Sequence, residues 1–319
     1  MTLMVSSAPS TVTRMSLVSL ILALALEQLR PFDRKLLAGP VVALADFLEQ
    51  HFNAGEPKHG VIAWCLAVLP LALAGWAIYA AAVWVNPLLG IAVNVAVLYA
   101  TMGFRQSSHH FTAMQKALRD GDLDRARAVL SHWAGAAHPS LTSSEVSRLA
   151  IEGALVGAHR NVFGVMFWFV LLPGPSGAIA YRVAELVAEH WNVTRRDLGA
   201  FGEFSRRAFA ALDWLPVRLT ALAFAIVGDF EDAVYCWRTQ AARWADPLAG
   251  IVIASGAGAL GVRLGMPIAR DGVLEDRPEM GTGDDADTAF LDSAVGLIWR
   301  ALVLLVVLLG LVTFARVVG

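Results

Sequence analysis

Residues 61–85 read VIAWCLAVLPLALAGWAIYAAAVWV, without a single charged side chain. A bilayer core needs about 20 predominantly apolar residues of helix, so this stretch is long enough to cross one. The rest of the chain agrees. Of 319 residues, 57% are hydrophobic and 16% charged, and the mean hydropathy is +0.58. Soluble domains carry about 25% charged residues. The composition therefore assigns the chain to the membrane class. A net charge of -2 and the lack of a basic stripe speak against nucleic-acid binding. Cys65 and Cys236 lie alone in unrelated segments, which is neither a disulfide framework nor a metal-ligand spacing.

Working outward, Asn86-Pro87 predicts a tight turn and Leu88–Phe104 a second, shorter span, giving a helical hairpin. Upstream, LVSLILALAL (17–26) follows Arg14 and is closed by Glu27, Gln28 and Arg30. It reads as an uncleaved membrane or interfacial helix, with a cleaved secretion signal as the alternative. Downstream, the character changes at Arg105. MQKALRDGDLDRARAVLSHW (114–133) predicts two helices broken at Gly121, with Asp122 capping the second. Thr142 and Glu145 have capping-box spacing and open a third. This arm holds seven basic residues, Arg105, Lys116, Arg119, Arg125, Arg127, Arg148 and Arg160, so the positive-inside rule places it in the cytoplasm. Val162–Val187 is broken by Pro173-Gly-Pro175 and reads either as a kinked span or as a re-entrant pair of half-helices. Trp214–Gly228 is short for a span, 229–265 reads as helical, and Val295–Ala315 is a clear final span.

The expected fold is all-α: a polytopic membrane protein with four to five transmembrane helices in one domain over residues 1–319. A cytoplasmic helical insertion occupies 105–160 and an acidic exposed loop 266–293. A bacterial inner membrane is the expected location.

Local motifs have modest chemical content. Gly256-Ala-Gly-Ala-Leu-Gly261 matches G-x-G-x-x-G but lacks the preceding strand and the later acidic residue of a dinucleotide site, so close helix packing explains it better. His109-His110 point about 100° apart on a helix and cannot chelate as i, i+4 pairs do. The acids of 266–293 (Asp271, Glu275, Asp276, Glu279, Asp284, Asp285, Asp287) are scattered, whereas Mg²⁺ demands tight octahedral geometry, so the segment reads as a solvated loop. In ALDWLPVRLTALAFAIVG (211–228), Pro216 suits a first helical turn, which makes Asp213 an N-terminal cap and Trp214 an interfacial anchor.

The same stretch carries a family resemblance. LDWLPVRLTALAFAI resembles the N-W-x-P-A-R-L-T-A segment of the CobD/CbiB family of membrane enzymes of late cobalamin assembly. ALRDGDLDRARAVLS (117–131), FWFVLLPGPSGAIAYRVAEL (167–186), FGEFSRR (201–207) and AGALGVRLGMP (257–267) are similar, in order, to further family segments, the last to A-G-A-L-G-V-R-L-G-G-P. The resemblance covers about two-thirds of the chain. It implies an adenosylcobinamide-phosphate synthase: amide formation between adenosylcobyric acid and an aminopropanol or its phosphate, with ATP and Mg²⁺. The family's acidic E-N-T-x-D-G run, however, falls on Val156–Asn161, VGAHRN, with no carboxylate. Its N-T-x-D falls on Glu185–Ala188, and its N-A-G-W-P-E on LAGIVI (248–253). That loss, together with residues 15–32, Arg160 and Asp213, also resembles AmpE, a relative implicated in β-lactamase-inducing envelope signalling.

Two functions follow as expectations: a catalytically degenerate, AmpE-like signalling protein with an envelope partner, or a divergent synthase acting on a corrinoid. No catalytic residue and no protein-held metal is assigned. For ligand binding the expected residues are Arg160, Arg182, Asp213, Arg218 and Arg263, since guanidinium groups suit phosphates and corrin carboxylates.

Overall fold

The computed structural model describes residues 8–29, 35–134, 140–270 and 273–318. Asp271 lies outside them. The helices are α1 (Ala8–Leu29), α2 (Lys35–Phe52), α3 (Pro57–Val85), α4 (Pro87–Thr101), α5 (Phe104–Arg119), α6 (Leu123–Ala134), α7 (Ser143–Ala158), α8 (Gly164–Leu171), α9 (Ser176–Glu189), α10 (Ala200–Val227), α11 (Phe230–Gln240), α12 (Pro247–Leu260) and α13 (Thr288–Val318). Five short strands interrupt them: β1 (Val262–Gly265), β2 (Ile268–Arg270), β3 (Val273–Glu275), β4 (Glu279–Met280) and β5 (Asp284–Asp285). The protein is an all-α polytopic membrane protein. Among the described residues, Pro57–Val85, Ser143–Leu171, Ala200–Val227 and Thr288–Ala315 are long and apolar enough to cross a bilayer. Met15–Leu29, Pro87–Thr101 and Pro247–Leu260 are shorter apolar helices.

Two compact units form. The first comprises residues 1–103, 164–214 and 308–319, the second 104–163 and 215–307. In the first, Asn86 ends α3 and starts α4, its side chain accepting the Leu88 N–H at 2.8 Å. The expected hairpin is therefore present, although α4 stops at Thr101. Across it, α1 packs on α4 and buries Leu20 and Ala23. Helices α8 and α9 fold back on each other through Pro173–Pro175. Gly177 permits that approach: a Cβ there would sit 1.9 Å from the Trp168 carbonyl oxygen.

Three sequence expectations need correction. Trp214–Gly228 is not a short helix capped by Asp213, because α10 runs unbroken from Ala200 to Val227 with Pro216 inside it. Proline at position 216 removes the N–H that would bond the Leu212 carbonyl. The Trp168 indole N–H donates to that carbonyl at 3.2 Å instead, so the carbonyl is not left unpaired where the helix continues. Asp213 is accordingly mid-helix and buried. Second, α7 does not end the arm. It continues through a π-helical turn (His159–Phe163) into α8, giving the span Ser143–Leu171. Polar His159 and Asn161 do not break it, because both are buried and the His159 Nδ1 lies 2.9 Å from Thr220 Oγ1. Third, 266–293 is not a plain loop. In the second unit β1 pairs antiparallel with β4 and parallel with β5, β2 pairs with β3, and α13 begins at Thr288.

Other expectations hold. Gly121 adopts φ +75° and Asp122 Oδ1 accepts the Arg125 N–H at 3.0 Å. The capping box of Thr142 and Glu145 is complete. Gly256 and Gly258 lie within α12 against Leu155 and the Asp232 backbone, and Gly261 ends the helix at φ +65°. The glycine motif is thus a packing device.

Replacing Gly177 by Ala drives a methyl group into the Trp168 carbonyl, so a loss of about 1–3 kcal/mol is expected, the range for overpacking. Thermal unfolding of the detergent-solubilised protein reads it, and an unchanged melting temperature would contradict the α8–α9 geometry.

Candidate functional site

Two buried polar centres stand out in an otherwise apolar interior, where an unpaired polar group is costly. In the first unit, α9 presents Tyr181, Arg182 and Glu185. The Tyr181 hydroxyl donates to Asp213 Oδ1 on α10 at 2.9 Å. Gly164 makes room for the phenol: a Cβ there would lie 2.3 Å from its oxygen. Arg182 is 1% exposed, donates from Nε to the Thr101 carbonyl at 2.8 Å, and pairs with Glu185. Every named group here has a protein partner, so this centre fixes α4, α9 and α10 together.

The second centre lies in the second unit, around the end of β1. Arg148 and Glu152, one helical turn apart on α7, both reach Gly265. Glu152 Oε1 accepts the Gly265 N–H at 2.8 Å, and Arg148 donates to the Gly265 carbonyl at 3.0 Å. Arg277, from the segment between β3 and β4, pairs with the other oxygen of Glu152 and lays its guanidinium 4.8 Å from the centre of the Trp244 ring. Arg263 on β1 donates to Asp285 at 2.9 Å. Two donors are left over: the Nε atoms of Arg148 and Arg263 are buried without an acceptor among the described residues. Nearby in sequence, Asp246 caps α12 and pairs with Arg160 at 3.0 Å.

The backbone here is strained. Gly265 and Met266 both have positive φ, +70° and +61°. Glycine adopts this conformation freely, but a residue with a Cβ pays about 1–2 kcal/mol for it. Met266 occupies the second glycine of the R-L-G-G-P pattern. Its N–H is still used, donating to the Pro278 carbonyl at 3.2 Å.

Chemically, this centre is an arginine-rich cluster in which Glu152 and Asp285 are both engaged. An unclaimed guanidinium N–H suits a phosphate or carboxylate oxygen as its acceptor. Among the described residues no three His, Cys, Asp or Glu side chains converge. Mg²⁺ brought by a nucleotide needs only one or two protein carboxylates beside the phosphates. Burial pushes the Cys236 thiol above its usual range, which disfavours the thiolate.

The five expected ligand residues fall in two units. Arg182 and Asp213 belong to the first centre, where each is taken up by structural bonds. Arg160 and Arg263 belong to the second unit, each ion-paired, and Arg218 is half-buried on the later part of α10. Sequence reading missed Arg148 as a ligand group, and Glu152 and Arg277 altogether. A signal existed: Arg148 and Glu152 are opposite charges at i, i+4 inside the apolar run Val146–Leu155. Arg277 gave none, since its partner is 125 positions away.

Comparison with known proteins agrees with this architecture. The family described as CobD/Cbib protein matches residues 20–298. The chain is 37% identical over 282 residues to cobalamin biosynthesis protein CobD of Stutzerimonas stutzeri, covering 86% of this chain and 91% of that protein. It is 37% identical to cobalamin biosynthesis protein CobD of Chromobacterium violaceum, covering 76% of each chain. It is 26% identical to cobalamin biosynthesis protein CbiB of Salmonella typhimurium, covering 78% of this chain and 80% of that protein. No solved structure matches it. The chain belongs to the CobD/CbiB family.

Two outcomes follow. Glu152→Gln or Arg277→Gln alone strands a buried charge and is expected to cost about 3–5 kcal/mol, whereas apolar residues at both positions cost less than either single change. A double-mutant cycle in denaturant measures this, and additive losses would contradict the pairing. Met266→Gly relieves the positive φ and is expected to stabilise by about 1 kcal/mol. A lower melting temperature would contradict it.

Proposed function

From its membership of the CobD/CbiB family, we propose that the chain is a membrane enzyme of cobalamin biosynthesis. It joins adenosylcobyric acid to an aminopropanol or its phosphate through an amide bond, as an adenosylcobinamide-phosphate synthase. The observation that carries this reading is the 37% identity, over 91% of the relative's length, to a protein named for cobalamin biosynthesis.

The residues support it. An envelope-signalling, AmpE-like role rests on the loss of the family carboxylates from the motifs. Glu152, Glu185 and Asp213 are nonetheless buried acids held by named donors. The second unit adds Arg148, Arg263 and Arg277. Guanidinium groups hold phosphates and carboxylates in a fixed, bidentate geometry, which is what positioning a corrinoid carboxylate or an aminopropanol phosphate requires. ATP, with its Mg²⁺, supplies the energy of amide formation in this reading. The chain's own part is to orient the reacting carboxylate and amine and to exclude water from them.

The test is complementation of a bacterium lacking its adenosylcobinamide-phosphate synthase, with membrane expression followed by blot. Restored cobalamin-dependent growth is expected, and Arg148→Gln should reduce it while the protein still accumulates in the membrane. A well-expressed chain that fails to rescue would overturn the synthase reading and favour the signalling one.

A further inference from the structure

Arg300 is a charge that neither polar centre uses. It is exposed on α13, within the membrane-spanning stretch Thr288–Ala315. Its Nε donates to the Gly296 carbonyl one turn back at 3.2 Å, and among the described residues it has no carboxylate partner. An arginine facing lipid without a counter-charge is expensive unless it sits at headgroup level or meets an anion there.

The surroundings fix its level. Beyond it, Ala301–Ala315 carries no charge. Before it, Asp292 binds Arg119 and Gln115 of the polar helix α5. From Asp292 to Arg300 the helix rises about 12 Å. Beside it lies a groove of about 460 Å³ lined by Val227, Trp299, Arg300 and Val303. Val227 is the last residue of span α10, and Gly228-Asp229 follow. The end of one span and an exposed tryptophan on another therefore meet at Arg300, and tryptophan concentrates at the membrane–water interface.

We propose that this groove binds an anionic phospholipid. The headgroup phosphate lies on the Arg300 guanidinium, and the first methylenes of an acyl chain run past Trp299 over Val227 and Val303. A guanidinium fork matches two phosphate oxygens, and the remaining lining is apolar, which a chain of methylenes fills and a free anion does not. An anionic leaflet adds general attraction for any exposed arginine, so the specific claim concerns Arg300 and this groove.

Native mass spectrometry of the full chain, released from nanodiscs of phosphatidylcholine with and without phosphatidylglycerol, tests it. The wild type should retain phosphatidylglycerol in preference to phosphatidylcholine. Arg300→Gln should lower that retention about tenfold, the effect of losing one charge-assisted hydrogen bond. Arg300→Lys should restore part of it, and Arg206→Gln, at an exposed arginine elsewhere, should change nothing. Val303→Trp, which keeps the charge but fills the groove, should also reduce retention, and serves if Arg300→Gln does not fold. Equal retention of both lipids, retention unchanged in Arg300→Gln and Val303→Trp, or displacement by inorganic phosphate would overturn the proposal. None of these readouts depends on synthase activity.

Discussion

A helix in lipid must satisfy its backbone polar groups within the protein, because no water is there to do so. In this chain that constraint turns on the Leu212 carbonyl. Pro216 leaves it without its helical partner, and the Trp168 indole supplies one. With that bond α10 is a single helix of 28 residues rather than a fragment beginning near Trp214. The position of Asp213 follows. Inside an unbroken helix it faces Tyr181, and the first polar centre forms around them.

The second centre answers a different version of the same constraint. A buried carboxylate is tolerable only when fully engaged, and Glu152 is shared between the Gly265 N–H and Arg277. That arrangement ties α7 to the end of β1, where the backbone takes two successive positive φ values. Strain of this kind persists when the surroundings over-determine it, and it concentrates at binding sites. The arginines around it carry the capacity for anions, and the glutamate and the turn hold them in place.

The order of the family segments accounts for the agreement between the resemblance and the comparisons, yet those segments mislead when read only for carboxylates. Counted motif by motif, the chain looks stripped of acids. Counted in space, Glu152, Glu185 and Asp213 are buried beside arginine or tyrosine donors. Acidity at a site is a property of what converges there, and residues 113 or 125 positions apart converge on Glu152.

What the sequence determined by itself is what depends on near neighbours. The apolar run 61–85 makes a spanning helix because its length matches a bilayer core. Asn86, Gly121 and the Thr142–Glu145 box set helix ends because capping bonds reach only two to four residues. Small residues at Gly256 and Gly258 announce close packing because only their size matters. The tertiary structure decided the rest. A proline signals a helix end in isolation, and only a distant indole cancels that signal. The segment 266–293 looks like a solvated loop until β1 pairs with β4 and β5. Arg148 reads as one more basic residue of the arm until its partners, chosen by folding rather than by spacing, leave its Nε unclaimed, as they also do for Arg263.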